Sequence, residues 1–201
     1  MLLRVIDYKT GRKAFDLSEI VHGRNMQMLI YLFALQESGS MMYGKRVTPA
    51  GVLYVPARDV VLKTSRNATD EEIKKMREKE LRRKGLVLSD AAVIDLMENG
   101  EEKRYLPVKT AKDGIKGDSL VSSEQIGMLA DHVKHMLRRA ADEIRSGRID
   151  CNPYFASAND NACQYCEYGS VCAFDEDSGD RRKFVSKLKT SEVWDVLGDR
   201  S

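Results

Sequence analysis

The stretch Arg4-Val5-Ile6-Asp7-Tyr8-Lys9-Thr10-Gly11 decides how this chain is read. Its β-prone residues predict a short strand from Leu2 to Lys9, closed by a turn at Thr10-Gly11. Residues two apart in a strand share a side, so Asp7 and Lys9 project together and Ile6 and Tyr8 project the other way. A carboxylate beside an ammonium at a strand end is a compact site for phosphate chemistry. The carboxylate can hold a hard divalent cation. The lysine can stabilise charge on a phosphate or help to activate a water. An isolated Asp-x-Lys is more often a plain surface ion pair on an edge strand. The residues that follow give this one its weight.

Past Gly11 the chain runs through a polar link into the apolar segment Asn25 to Gln36. It is too short to span a bilayer and predicts a buried helix, stopped by the turn signal Ser38-Gly39. Gln27 and Tyr31 lie four apart and share one helix face. Polar groups on an otherwise apolar helix need partners. Either both hydrogen-bond within the core, or both face the strand that carries Asp7 and Lys9.

Three motifs in this order, Val5-Ile6-Asp7-Tyr8-Lys9-Thr10-Gly11, Phe15-Asp16-Leu17-Ser18-Glu19 and Gln27-Met28-Leu29-Ile30-Tyr31, resemble the PD-(D/E)xK nuclease superfamily. Within it the likeness is to the RecB-like branch, whose last motif is Q-x-x-x-Y, and there to the C-terminal nuclease domains of bacterial AddAB-type helicase–nucleases. It covers most of the chain, including the tail from Cys163 to Asp175. It implies an α/β, restriction-endonuclease-like core with helical insertions and a Cys-rich C-terminal tail. It also implies a Mg²⁺-dependent DNA exonuclease acting in double-strand-break repair. Asp7 would be a metal ligand, Lys9 would position or activate water, Gln27 would orient Lys9 or the phosphate, and Tyr31 would pack behind them. The implied partners are DNA, fed as a single strand from a duplex end, and an AddA-type motor subunit. The family places a second metal-binding acid upstream of this strand. The core is therefore expected to be incomplete at its N-terminus and the chain to be part of a longer protein, inactive alone.

The chain has 201 residues, 42% hydrophobic and 32% charged, enough for one sizeable core and unlike a disordered chain. A net charge of +2 means that any nucleic-acid contact must come from a local patch. With no export signal visible, a cytoplasmic location is expected, and the cysteines are expected to be free or metal-bound.

Further along, Asp16 and Glu19 form a capping-box pattern. Val47 to Pro56 predicts a strand beside the first, ending where Pro56 cannot donate. Thr69 and Glu72 open a peripheral helix expected to reach Lys84 and to stop at Gly85. Its basic end, Arg82 to Lys84, is read as a solvated face rather than a phosphate contact. Ser89 is expected to cap a short helix through Met97, Tyr105 to Lys109 to form a strand, and Lys109 to Gly117 a basic loop. Ser122 and Gln125 cap the clearest helix, which Gly147 ends. His132 and His135 lie on it and are read as surface or satisfied histidines.

Cys163-x-x-Cys166-x5-Cys172 has the spacing of ligands to one metal centre, zinc or iron–sulfur, and spacing does not choose between them. The resemblance implies three of the four ligands of a [4Fe–4S] cluster, with the fourth upstream. Cys151 is expected not to ligate, so this chain would hold no cluster, a damaged one, or zinc. The expected units are residues 1–150, the nuclease core with its insert; 151–175, the cysteine staple; and 176–201, a surface tail in which Val185, Leu188, Val193 and Trp194 can dock a last helix. Two alternatives remain open: a non-catalytic DNA-end-binding or subunit-docking module, and a stand-alone nuclease of the CRISPR-adaptation type.

Overall fold

In a computed structural model, which describes residues 1–199, the chain forms a mixed four-stranded sheet covered on both faces. In chain order the elements are β1 (Leu2–Lys9), α1 (Leu17–Val21), α2 (Gln27–Tyr43), β2 (Thr48–Pro56), α3 (Asp70–Glu80), β3 (Lys84–Leu88), α4 (Ala91–Met97), β4 (Lys109–Ala111), β5 (Gly114–Lys116), β6 (Leu120–Val121) and α5 (Ser123–Arg145). The tail adds β7 (Tyr154–Ser157), β8 (Asp160–Asn161), α6 (Gly169–Cys172), β9 (Lys183–Phe184) and α7 (Thr190–Gly198).

The main sheet runs β1-β2-β3-β6. β1 and β2 are parallel, joined by the α1–α2 crossover, and β3 lies antiparallel to β2. The period of two in β2 and β3 sorts the core. Val52, Tyr54, Leu86 and Leu88 pack with Met28, Leu29 and Leu32 of α2 and with Leu129 and Val133 of α5. Leu53 and Val87 face the other way, onto Ile94, Leu106 and Val108. The apolar stripe of α5, with Ile126, Leu129 and Val133 buried, and its Ser122–Gln125 capping box follow the predicted helix closely.

Several elements depart from expectation, each for a physical reason. The second helix runs on to Tyr43, because Gly39 is not a stop. A Cβ there would sit 2.2 Å from Cγ2 of Val47, so the glycine admits a close approach, and Gly44, at φ 62°, makes the left-handed cap instead. Helix α3 has the predicted Thr69 capping box but ends at Glu80, and Lys84 and Gly85 begin β3. Asp16 caps α1 by accepting from the Ser18 N–H, while Glu19 pairs with Arg24 rather than closing the box. Asp90, not Ser89, caps α4.

The expected strand at Tyr105 to Lys109 is mostly irregular. Its backbone is held by side chains: the Glu98 carboxylate accepts from the N–H groups of Arg104, Tyr105 and Leu106 at 2.8–3.2 Å. Arg82 donates to the carbonyls of Leu106, Lys103 and Val108. The basic loop is a hairpin, β4 against β5. His132 is buried, with Nε2 3.0 Å from the carbonyl oxygen of Ile20.

After residue 175 the chain stays at the surface, with no buried residue before Val193, and then docks its last helix on the core. Val193 and Leu197 of α7 belong to the main core. The approach to α7 is tied down by Leu188 N–H donating to the buried Ser18 hydroxyl at 2.9 Å and by Lys187 pairing with Asp16 at 3.0 Å. Among the described residues no helix is long and apolar enough to cross a membrane.

Candidate active site

Strand β1 carries Asp7 and Lys9 to the face that packs on α2. The register fixes this: Asp7 is opposite Tyr54, whose ring belongs to the α2-side core. Lys9 Nζ lies 2.8 Å from Asp7 Oδ2, and the two side chains keep 34% and 28% of their surface exposed. The ammonium also sits 5.2 Å from the centre of the Tyr54 ring. The Lys9 ammonium is held above its ordinary pKa, first by its hydrogen bond to Asp7 and then by the Coulomb attraction of that carboxylate, against the opposing effect of burial. Lys9 therefore stays charged at neutral pH. Burial pushes the Tyr54 phenol upward, so it stays protonated.

Gln27 is the first residue of α2, set there by a sharp turn at Asn25, which takes the left-handed conformation at φ 52°. The Asn25 amide donates to Glu19, which fixes that turn. The crossover thus delivers Gln27 to the end of β1, and Gln27, Lys9, Thr10 and Tyr54 line one recess of about 520 Å³. Tyr8, although it points to the other side of β1, closes the recess rim and is 69% exposed. Gln27 Nε2 donates to the Tyr31 hydroxyl at 3.0 Å, one helical turn on. The pair is solvent-facing rather than buried. The four residues picked from sequence thus fall into two bonded pairs, Asp7 with Lys9 and Gln27 with Tyr31; of the four, Lys9 and Gln27 meet in the lining of the recess, and Asp7 and Tyr31 stand behind them.

Sequence reasoning missed the second half of this surface. A groove of about 470 Å³ continues from Lys9 and Tyr54 between the turn after β1 and the α3–β3 corner. Its walls are pinned by Glu80, which takes Arg12 at 2.9 Å and Arg58 at 3.0 Å. These contacts join positions 68 and 22 residues apart, so no local pattern announces them. The one available signal was the basic run at Arg82 to Lys84, read as a solvated face. A larger recess of about 630 Å³ lies between α1, β3 and the approach to α7; it holds neither Asp7 nor Lys9.

Among the described residues no group of three or more His, Cys, Asp and Glu side chains is gathered as a metal site. One carboxylate is still a fitting contribution to a magnesium site, because Mg²⁺ is commonly held by one or two carboxylates together with substrate phosphates and water. Asp7 Oδ2 is engaged by Lys9, which leaves its second oxygen as the donor for a cation.

In the tail, Cys163, Cys166 and Cys172 are exposed and Cys151 is half-buried. Cys151 Sγ lies 3.1 Å from Cys172 Sγ, a contact that pushes the Cys151 thiol up to about 11. Thiols suit zinc or an iron–sulfur cluster by their softness, and Cys151 joins Cys172 in the segment where a centre would form.

Comparison with known proteins bears on the family of the chain. A family model for the PD-(D/E)XK nuclease superfamily matches residues 2–173. The B subunit of an ATP-dependent helicase/deoxyribonuclease from Clostridium novyi is 38% identical over 198 residues, covering 96% of this chain and 17% of the relative. Proteins of the same name from a Thermoanaerobacter species and from Clostridium acetobutylicum are 36% and 34% identical, each covering 97% of this chain and 17% of the relative. The chain thus spans about a sixth of the length of these curated relatives. With the family match running from the Asp7 strand to the cysteine tail, the chain belongs to the PD-(D/E)XK nuclease superfamily.

Proposed function

We propose that this chain is the nuclease part of the B subunit of an ATP-dependent helicase/deoxyribonuclease, and that it hydrolyses DNA phosphodiesters with Mg²⁺ during double-strand-break repair by homologous recombination. The observation that carries this reading is the Asp7–Lys9 pair at 2.8 Å, whose lysine lines a recess together with Gln27.

Asp7 is the residue that would hold the cation. When bound, Mg²⁺ supplies charge neutralisation at the phosphate and a more acidic water. The charged Lys9 ammonium holds a non-bridging phosphate oxygen and stabilises the negative charge that builds as water attacks. The water oxygen bonds to phosphorus and gives up a proton. The P–O bond to the departing nucleotide breaks, and the released oxygen takes a proton. Gln27 orients the phosphate or Lys9, and Tyr31 fixes the Gln27 amide by accepting its N–H.

Thiolates of Cys163, Cys166 and Cys172 would hold a [4Fe–4S] cluster, or zinc, as a staple on the tail. The relatives' name, which joins a helicase to a deoxyribonuclease and marks one subunit of several, supports an AddA-type motor subunit as partner, feeding one DNA strand to the site.

The test is DNA cleavage by the protein assembled with its partner subunit. Asp7→Ala and Lys9→Ala are each expected to lower the rate at least about 100-fold, the loss typical of removing one preorganised charge-stabilising group, with DNA binding retained. A variant that cuts DNA at the wild-type rate overturns the assignment.

A further inference from the structure

The groove pinned by Glu80 concentrates positive charge that the rest of the chain does not explain. Its lining holds seven Lys and Arg side chains and one carboxylate, Glu80, in a chain whose net charge is only +2. The arginines are spoken for: Arg12 and Arg58 by Glu80, and Arg82 by three backbone carbonyls. Of the four lysines, Lys9 is paired with Asp7 and the other three are not. Lys13, Lys79 and Lys84 are exposed and form no ion pair among the described residues. Three unpaired ammonium groups brought to one groove make it locally electropositive, which favours an anionic occupant.

The sheet register ties this charge to the candidate active site. Asp7 is opposite Tyr54 on β2, and Tyr54 is opposite Lys84 on β3. Directly paired residues of neighbouring strands point to the same face, so Asp7, Tyr54 and Lys84 form one row across three strands. With strands about 4.8 Å apart, Lys84 stands about 10 Å from Asp7 along that row. This is a step of one to two nucleotides along an extended strand.

Exposed aromatic rings flank the start of the row. Tyr8 is 69% exposed at the recess rim and Tyr31 is 52% exposed beside Gln27. A positive groove that tracks the backbone, with open aromatic faces for the bases, is the arrangement that binds single-stranded nucleic acid without sequence preference.

We infer that this groove is the track for one DNA strand on its way through the active site, with Lys13, Lys79 and Lys84 holding successive phosphates and Tyr8 stacking a base at the mouth. The inference rests on the nuclease reading for its substrate, but it concerns binding and is separable from cleavage.

The experiment is fluorescence anisotropy of the full chain with a labelled oligodeoxythymidine across a salt series. A second arm uses a blunt duplex of the same length. Each phosphate contact to a single strand contributes about 0.7 to the slope of log K against log salt. The combined Lys13→Ala, Lys79→Ala, Lys84→Ala variant is therefore expected to flatten that slope by about 2. Tyr8→Ala should weaken single-strand binding and leave the slope unchanged. A control variant, Lys74→Ala with Lys112→Ala, removes exposed lysines outside the groove and should bind as wild type. Circular dichroism confirms that each variant is folded.

A groove variant with the wild-type slope overturns the inference, as does a loss no larger than the control's. Equal loss on the duplex arm overturns the single-strand assignment. Asp7→Ala separates the two readings. If it abolishes cleavage while the lysine variant binds and cuts normally, the groove inference fails and the active-site reading stands. If Asp7→Ala cuts normally while the lysine variant loses its slope, the reverse holds.

Discussion

Gly85 shows at single-residue scale why position in space outweighs local pattern. It sits in β3 at φ 145°, and a Cβ added there would lie 1.9 Å from the carbonyl oxygen of Val52 on β2. Gly85→Ala must therefore push the two central strands apart, and also forces alanine into a backbone region that favours glycine. The expected cost is about 3 kcal/mol, the upper range for forcing an extra methyl into a close-packed core, read as a lower urea midpoint at unchanged m-value. After Arg82-Arg83-Lys84, the same glycine has every local mark of a helix stop. Both roles use its missing side chain, and only the long-range contact with Val52 separates them. The site residues divide along the same line. Asp7 and Lys9 were legible because a strand puts i and i+2 together, and Gln27 and Tyr31 because a helix puts i and i+4 together. Tyr54, which the sheet sets under Lys9, and Glu80, which joins Arg12 to Arg58, come from distant segments and leave no periodic trace.

At the scale of elements, the α3–β3 corner is held by charge rather than by apolar packing, since α3 buries none of its residues. Glu80 carries the corner's link to the turn after β1. Its carboxyl is held below the ordinary glutamate value, first by the hydrogen bond from Arg58 and then by the charge of Arg12. A carboxyl depressed on folding contributes stability above its unfolded pKa and loses it as pH falls through the folded value. The link is thus intact at neutral pH and weakens in acid, as pH falls through the lowered value. The protection factors of the α3 amides, exchange relative to the unstructured rate at each pH, should fall there in the wild type. In Glu80→Gln protection should already be low at pH 7 and change little with acid. The neighbouring 98–108 segment relies on Glu98, whose carboxylate serves three backbone N–H groups. Glu98→Ala leaves the N–H of buried Leu106 and that of half-buried Tyr105 unpaired, at a cost of about 2–3 kcal/mol, visible as a lower melting temperature. This segment looked like a strand because Leu106 and Val108 are apolar at a spacing of two, with Tyr105 before them. It is irregular because a side-chain carboxylate satisfies the backbone that a neighbouring strand would otherwise pair.

Across the whole molecule, the tail and the α1–α2 crossover are fastened to each other. Arg24, two residues before the helix cap that sets Gln27, pairs with Asp160 at 3.1 Å and lies 3.9 Å from the centre of the Tyr154 ring. His22 meets the Ser186 carbonyl at 2.9 Å. The cysteine segment is thereby bracketed by contacts to the one connection that places α2 against β1. Helix α7 then closes over α1 and α5, with Val193 fully buried and Leu197 2% exposed. If residues 176–199 were a surface appendage, trimming their contacts would loosen only the end of the chain. Because α7 shares its core with Ile20, Leu129 and Val133, Leu197→Ala should instead lower the stability of the entire sheet by about 2–5 kcal/mol. Unfolding followed by Trp194 fluorescence and by far-ultraviolet circular dichroism should keep coincident midpoints, both shifted downward. Separate midpoints, with only the Trp194 signal moved, would mean that α7 melts on its own and that the core holds without it.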